Sequence, residues 1–258
     1  MFNSTIENRD IIIASVEEAI NTISNSGQLD EKISSLENQG EKEGWYRGFD
    51  TERKIIVPFS YETKMSGIGE EEVHENVWYA RTIQIDKSKL ETQNYMLHFE
   101  GSDFETKVWL NGQFVGSHKG GYTRFSFDLS NVAVDGENLL VVKVEDSLDT
   151  QQPRGKQRWL DEVYLCWYIP TTGIWKTVWS EYVPKISLDS VKMTPNVSDF
   201  FLEVEYNVNA PESRCNGDLM VETVVTYKGE LINKTVTAIT SNHVCAKIDM
   251  AKKCNFSY

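Results

Sequence analysis

Trp109-Leu110-Asn111-Gly112-Gln113-Phe114-Val115 decides the fold. Asparagine and glycine both tolerate positive φ, which a type I′ turn demands at its two central positions, and here they stand between two apolar runs. The spacing predicts a tight antiparallel hairpin turning at Asn111-Gly112. Outward from it a period of two recurs. Upstream, Val77, Tyr79, Ile83 and Ile85 lie largely on one face, Tyr95, Leu97 and Phe99 share a face, and so do Val108 and Leu110. Downstream, Phe125, Phe127 and Leu129 alternate, as do Leu140, Val142 and Val144, with the turn-forming Asp135-Gly136-Glu137-Asn138 between them. Each run reads as a half-buried strand of an antiparallel meander. Trp109, Trp175 and Trp179 fall in strand patterns and read as core residues rather than as a stacking platform.

Farther out the pattern changes. From Ile11 to about Leu36 the apolar residues Ile12, Val16, Ala19, Ile20 and Ile23 recur at helical spacing, and Ser15 with Glu18 could form a capping box, so one or two short helices are expected. Between Asp146 and Trp159 the strand period breaks into a polar loop containing Pro153 and Gly155, the kind of segment a rigid sandwich presents to a ligand. Strand pattern resumes at Gly173-Ile174-Trp175 and runs to Val183, and Pro184 marks a domain boundary. After it come further candidate strands over Ile186–Met193, Leu202–Val208, Leu219–Tyr227, Glu230–Ile239 and Val244–Ile248, with a turn at Lys228-Gly229.

Composition narrows the function. A formal net charge of -13 over 258 residues opposes a nucleic-acid or anionic-membrane partner, while a neutral ligand such as a sugar is compatible. No stretch approaches the roughly 20 apolar residues of a membrane span. The start of the chain has too short an apolar run for a secretory leader, which points to the cytoplasm. The four cysteines, Cys166, Cys215, Cys245 and Cys254, are widely spread, lack a CxxC or Cys/His spacing of the kind a zinc site needs and read as reduced thiols, with Cys215 to Cys245 or Cys254 the one disulfide to consider. No cofactor, metal site or catalytic residue is expected. Glu70-Glu71-Glu72 and Asp161-Glu162 read as solvated acidic loops, and the histidines are scattered, with His118 assigned to turn packing.

A succession of short motifs then acquires meaning. Val57-Pro58-Phe59-Ser60, Asn76-Val77-Trp78-Tyr79-Ala80-Arg81, Val108-Trp109-Leu110-Asn111-Gly112, Gly120-Gly121-Tyr122-Thr123-Arg124-Phe125, Pro153-Arg154-Gly155-Lys156-Gln157 and Gly173-Ile174-Trp175 occur in this order. Together they resemble the amino-terminal sugar-binding domain of glycoside hydrolase family 2, most of all its β-galactosidase branch, with β-glucuronidases and β-mannosidases as relatives. The resemblance implies an all-β chain. Residues 43–184 would form a jelly-roll (galactose-binding-like) β-sandwich after an atypical, partly helical segment 1–42. Residues 185–258 would form an immunoglobulin-like sandwich, incomplete against the about seven strands of that fold. It also implies a (β/α)₈ barrel with two catalytic glutamates, a unit of about 250 residues for which 258 residues leave no room after two sandwiches. The expectation is therefore a fragment of a longer glycosidase, inactive alone, from a family whose members often form homo-oligomers. An independent carbohydrate-binding module and a purely structural sandwich are the alternatives.

The resemblance also implies sugar-facing positions. In the family the Asn-Val before the x-Tyr strand lies beside the sugar, and here these are Asn76 and Val77. Arg154, Lys156, Gln157 and Trp159 offer cationic and amide donors with an aromatic face, the mixture that a β-galactoside-like ligand uses, although the same loop could instead pack against the barrel. Some β-galactosidases carry a sugar-contacting aspartate before the Gly-Ile-Trp segment, where this chain has Trp167-Tyr168, so Trp167 joins the candidate set. Before Trp45 the chain departs from the family, since Ile33-Ser34-Ser35-Leu36-Glu37 replaces the motif of its early strand.

Overall fold

Asn111 and Gly112 both hold positive φ, 53° and 75°, and the strands that they join pair Leu110 with Gln113. The hairpin thus turns where the dipeptide predicts. The computed structural model describes residues 13–15, 39–50, 53–148, 152–159 and 163–250, and it divides into two units, Met1–Tyr182 and Val183–Tyr258. Among the described residues no helix is long and apolar enough to cross a membrane.

The first unit contains β1 (Ile13–Ser15), α1 (Gln39–Glu43), β2 (Asn76–Ile85), β3 (Gln93–Phe99), β4 (Ser102–Asp103), β5 (Glu105–Leu110), β6 (Gln113–Lys119), β7 (Phe125–Asp128), β8 (Gly136–Glu145), β9 (Gly173–Ile174) and all but the last two residues of β10 (Val178–Pro184). One sheet runs β1-β2-β8-β5-β6, a second runs β10-β3-β7, and β4 pairs with β9. Val77, Tyr79, Val108, Leu110, Val142 and Val144 from the larger sheet meet Tyr95, Leu97, Phe99, Phe125 and Phe127 from the smaller in one apolar core. The chain is all-β, and this unit is a β-sandwich.

Half-burial fails as a description of β2 and β8. Trp78, Ala80 and Val141, which face away from the core, are buried too, beneath Trp45, Tyr46 and Phe49. The segment 39–50 lies over the outer face of the sheet, and Trp78 stacks on Trp109 with ring centroids 5.5 Å apart. Trp109 is therefore buried in this outer layer. Lys143, fully buried on β8, bonds Glu145 at 3.0 Å and reaches Glu41 at 3.4 Å. Gly40 is required here, since a Cβ would stand 2.7 Å from the Trp78 ring.

Other expectations are corrected. Ile13–Ser15 is a strand paired antiparallel with Trp78–Ala80, so helical spacing loses to sheet pairing there; the rest of the segment expected to be helical, to Leu36, lies outside the described residues. Trp179 is 41% exposed, with its ring stacked on His98 at a centroid distance of 4.1 Å, and so is not a core residue. Trp175 is half-buried and donates from Nε1 to the Gly121 carbonyl at 2.8 Å. Cys166, Cys215 and Cys245 are free thiols, which removes the Cys215–Cys245 pairing; Cys254 lies outside the described residues.

The second unit contains β11 (Ser187–Asn196), β12 (Phe201–Asn209), β13 (Met220–Tyr227), β14 (Glu230–Ala238) and β15 (His243–Asp249). The sheets are β11-β12-β15 and β13-β14. Val204, Tyr206, Val208, Ala246 and Ile248 of the first pack with Val221 and Val225 of the second. Lys228 and Gly229, at φ 50° and 85°, make the β13–β14 turn at the expected place.

Candidate functional site

Three carboxyl groups from distant parts of the first unit converge where its strands end. Asp146 directly follows β8, Asp103 ends β4, and Glu62 lies in the loop ahead of β2; all three are buried. Thr172 joins two of them, donating from its backbone N–H to Glu62 Oε1 and from its hydroxyl to Asp146 Oδ2, both at 2.9 Å. Gln152 donates to the other Asp146 oxygen, and the Asp146 N–H donates to the Glu75 carbonyl at 2.8 Å. Close approach is built in: a Cβ at Gly121 would fall on the Asp103 carboxylate, and one at Gly173 would strike the Tyr79 hydroxyl.

Electrostatics follow from this burial. Loss of water pushes the Glu62 carboxyl up to about 7, although the Thr172 N–H favours its ionised form. Burial pushes Asp103 to about 6, and the charge of Asp146 adds to the effect. Asp146 is raised for the same first reason, against the pull of Thr172 and the Arg154 guanidinium. Nearby, Tyr61 donates to the Glu72 carbonyl and accepts from the His74 N–H, each at 2.9 Å, and burial holds the His74 imidazole toward its neutral form.

The predicted positions distribute unevenly around this cluster. Arg154 and Gln157 are buried beside it. The Arg154 guanidinium donates to the Ser147 carbonyl and, at 3.2 Å, to the Arg158 carbonyl. Gln157 donates from Nε2 to Asp103 Oδ2 and accepts at Oε1 from the Thr171 N–H, both at 2.8 Å. Both side chains therefore tie the loop down. Asn76 opens β2 next to Glu75, and its Oδ1 is buried without a hydrogen-bond partner among the described residues, as is Glu62 Oε2. Such acceptors suit a hydroxyl-rich ligand. Val77 is 0% exposed in the core, so its side chain packs and is closed to solvent. Lys156 is exposed, and Trp159 meets Trp167 edge to face at 4.4 Å.

The buried carboxylates were not singled out from the sequence. Asp103 and Glu62 sit in segments without a chemical motif, and pairing of β4 with β9 brings the first to Gly173. The one available signal was Asp146 at the point where strand alternation stops. Beyond the cluster, the 163–168 segment exposes Val163, Tyr164, Leu165 and Tyr168, yet its backbone is held: Arg158 N–H donates to the Tyr168 carbonyl at 2.8 Å and Tyr168 N–H to the Lys156 carbonyl at 2.7 Å. Glu70, Glu72 and His74 also converge, but Arg53 already pairs with Glu70.

Comparison with known proteins assigns this architecture. Residues 37–179 match the family model described as glycosyl hydrolases family 2, sugar binding domain. The chain is 30% identical over 166 residues to a β-galactosidase of Thermoanaerobacter pseudethanolicus, covering 63% of this chain and 21% of that protein. It is 31% identical over 169 residues to a putative β-glucuronidase of Formosa agariphila, covering 64% of this chain and 19% of the relative. The chain thus spans about a fifth of the length of these relatives. A Ruminococcus gnavus β-glucuronidase solved with uronic deoxynojirimycin superposes over 94% of this chain and 39% of its own, with a TM-score of 0.66 at 17% identity, a likeness of fold. With more than half of its length inside the family's sugar-binding domain, this chain belongs to glycoside hydrolase family 2.

Proposed function

We propose that the chain is the non-catalytic, amino-terminal part of a family 2 glycosidase acting on a β-galactoside-like sugar. In this reading the first unit is a jelly-roll and the second a partial immunoglobulin-like sandwich. Asn76 supplies an acceptor whose Oδ1 is buried here and meets the sugar once the side chain turns outward, and hydrolysis falls to a (β/α)₈ barrel outside these residues. The segments 152–159 and 163–172 then serve as the surface that meets the barrel.

Leu165 carries this reading. It is 82% exposed and holds φ at 52°, a left-handed conformation that is unfavourable for a leucine. Among the described residues neither packing nor backbone preference repays that arrangement, whereas a covering domain would bury the leucine with Tyr164 and Tyr168. The buried carboxylates support the same division of labour: Asp103 Oδ2 accepts from Gln157, and both Asp146 oxygens accept from Gln152 and Thr172, contacts that hold loops in place rather than flank a scissile bond. An independent carbohydrate-binding module is the second reading, favoured by the Trp159–Trp167 pair at the surface. Calorimetric titration of the chain with galactose and lactose separates the two. Absent or millimolar binding is expected of a partial pocket, while tight saturable binding by the chain alone would establish the module.

A further inference from the structure

Glu205, His243 and Cys245 meet on the outer face of the second unit, where β12 and β15 pair Glu205 with Cys245 and Asn207 with His243. Cys245 Sγ lies 3.7 Å from His243 Nε2, and that nitrogen lies 3.9 Å from Glu205 Oε2. One ligand atom from each residue falls within 4.8 Å of the others. A tetrahedral zinc ion with its usual bond lengths sets sulfur and nitrogen about 3.6 Å apart and nitrogen and oxygen about 3.4 Å apart. The sulfur–nitrogen pair is already at that spacing, the nitrogen–oxygen pair needs about 0.5 Å of closure, and the sulfur–oxygen pair, within 4.8 Å, closes to about 3.6 Å by rotation of the exposed cysteine side chain.

The imidazole is already oriented for this role. Asn207 donates from Nδ2 to Ser190 Oγ at 2.8 Å, which turns its Oδ1 toward His243 Nδ1 at 2.9 Å. Nδ1 therefore carries the proton, and Nε2 is the nitrogen directed at Cys245 and Glu205. An outer partner that fixes the ring in this way is the usual companion of a metal-bound histidine. Lys192 occupies the other Glu205 oxygen, Oε1, leaving Oε2 on the side of the histidine. Cys245 and His243 are exposed, so a metal has an entry path and water can complete the fourth position.

The geometry points to a zinc site formed by Cys245 Sγ, His243 Nε2 and Glu205 Oε2, with solvent as the fourth ligand. The mixed sulfur, nitrogen and oxygen set suits zinc and excludes magnesium or calcium, which take oxygen. Binding displaces the thiol proton to solvent, so affinity falls as pH drops.

Cobalt titration of the full chain, reduced and stripped of metal, tests the site, because tetrahedral cobalt with a thiolate ligand absorbs visibly. One equivalent is expected to produce that absorption, and zinc is expected to displace it. Cys245→Ser and His243→Ala should abolish it, Asn207→Ala should weaken binding about tenfold, and Cys166→Ser should leave it unchanged. The variants lie on the surface, and their circular dichroism should match the parent. Absence of a saturable band in the parent chain, or an unchanged band in Cys245→Ser, would overturn the assignment.

Discussion

Gln157 fastens the 152–159 loop to Asp103, donating to its Oδ2 at 2.8 Å across 54 positions of chain. The same amide accepts from Thr171, so one side chain joins the loop, β4 and the approach to β9. Removing it would leave the buried Asp103 carboxyl and the Thr171 N–H without their partner. Gln157→Ala is expected to cost about 1–3 kcal/mol of stability, read by chemical denaturation near neutral pH. A variant as stable as the parent would show that the loop is held by other contacts.

Glu62 makes a pH prediction with a definite sign. Its carboxyl is raised from 4.5 to about 7 in the folded chain, so between those values the native state binds more protons than the unfolded one. Stability from this group is full below about pH 4.5 and falls as pH rises toward 7. Glu62→Gln keeps the Thr172 contact and removes the titration. Thermal melts should find the variant gaining on the parent by up to about 3 kcal/mol across that window, and parallel pH profiles would contradict the assignment.

The outer aromatic layer predicts a steric cost. Gly40→Ala would place a methyl group 2.7 Å from the Trp78 ring and 2.8 Å from Trp45. Overpacking of this kind costs about 1–3 kcal/mol, against a helix-propensity gain of about 1 kcal/mol. A net loss in a urea melt is expected, with a change in tryptophan fluorescence.

The hairpin at Asn111-Gly112 and the strands around it were legible because turn chemistry and a period of two are local signals. The five second-unit strands were legible for the same reason. What periodicity could not register was a second buried face: Trp78, Ala80 and Val141 look like outward positions until residues 39–50 are laid over them. The carboxyl cluster was hidden in another way. Asp103, Asp146 and Glu62 become neighbours only through sheet ends and loop closure, and no spacing in the sequence links them. His243 and Cys245 stand two positions apart in the sequence, but Glu205 joins them only through strand register.

Leu165 should be replaceable without loss. Leu165→Asn removes an exposed apolar side chain and substitutes a residue that tolerates φ near 52°. Stability is expected to hold or rise by up to about 1 kcal/mol, and self-association in sedimentation velocity should diminish. A large destabilisation would mean that Leu165 serves this fold and not a surface for another domain.

The central claim is that these residues belong to a family 2 glycosidase without performing its chemistry. Hydrolysis of p-nitrophenyl β-galactoside and p-nitrophenyl β-glucuronide by the purified chain measures it most directly. The account predicts no turnover of either substrate. Turnover that survives repurification, and is lost in Glu62→Gln or Asp103→Asn, would contradict it by placing a catalytic carboxyl inside the sandwich.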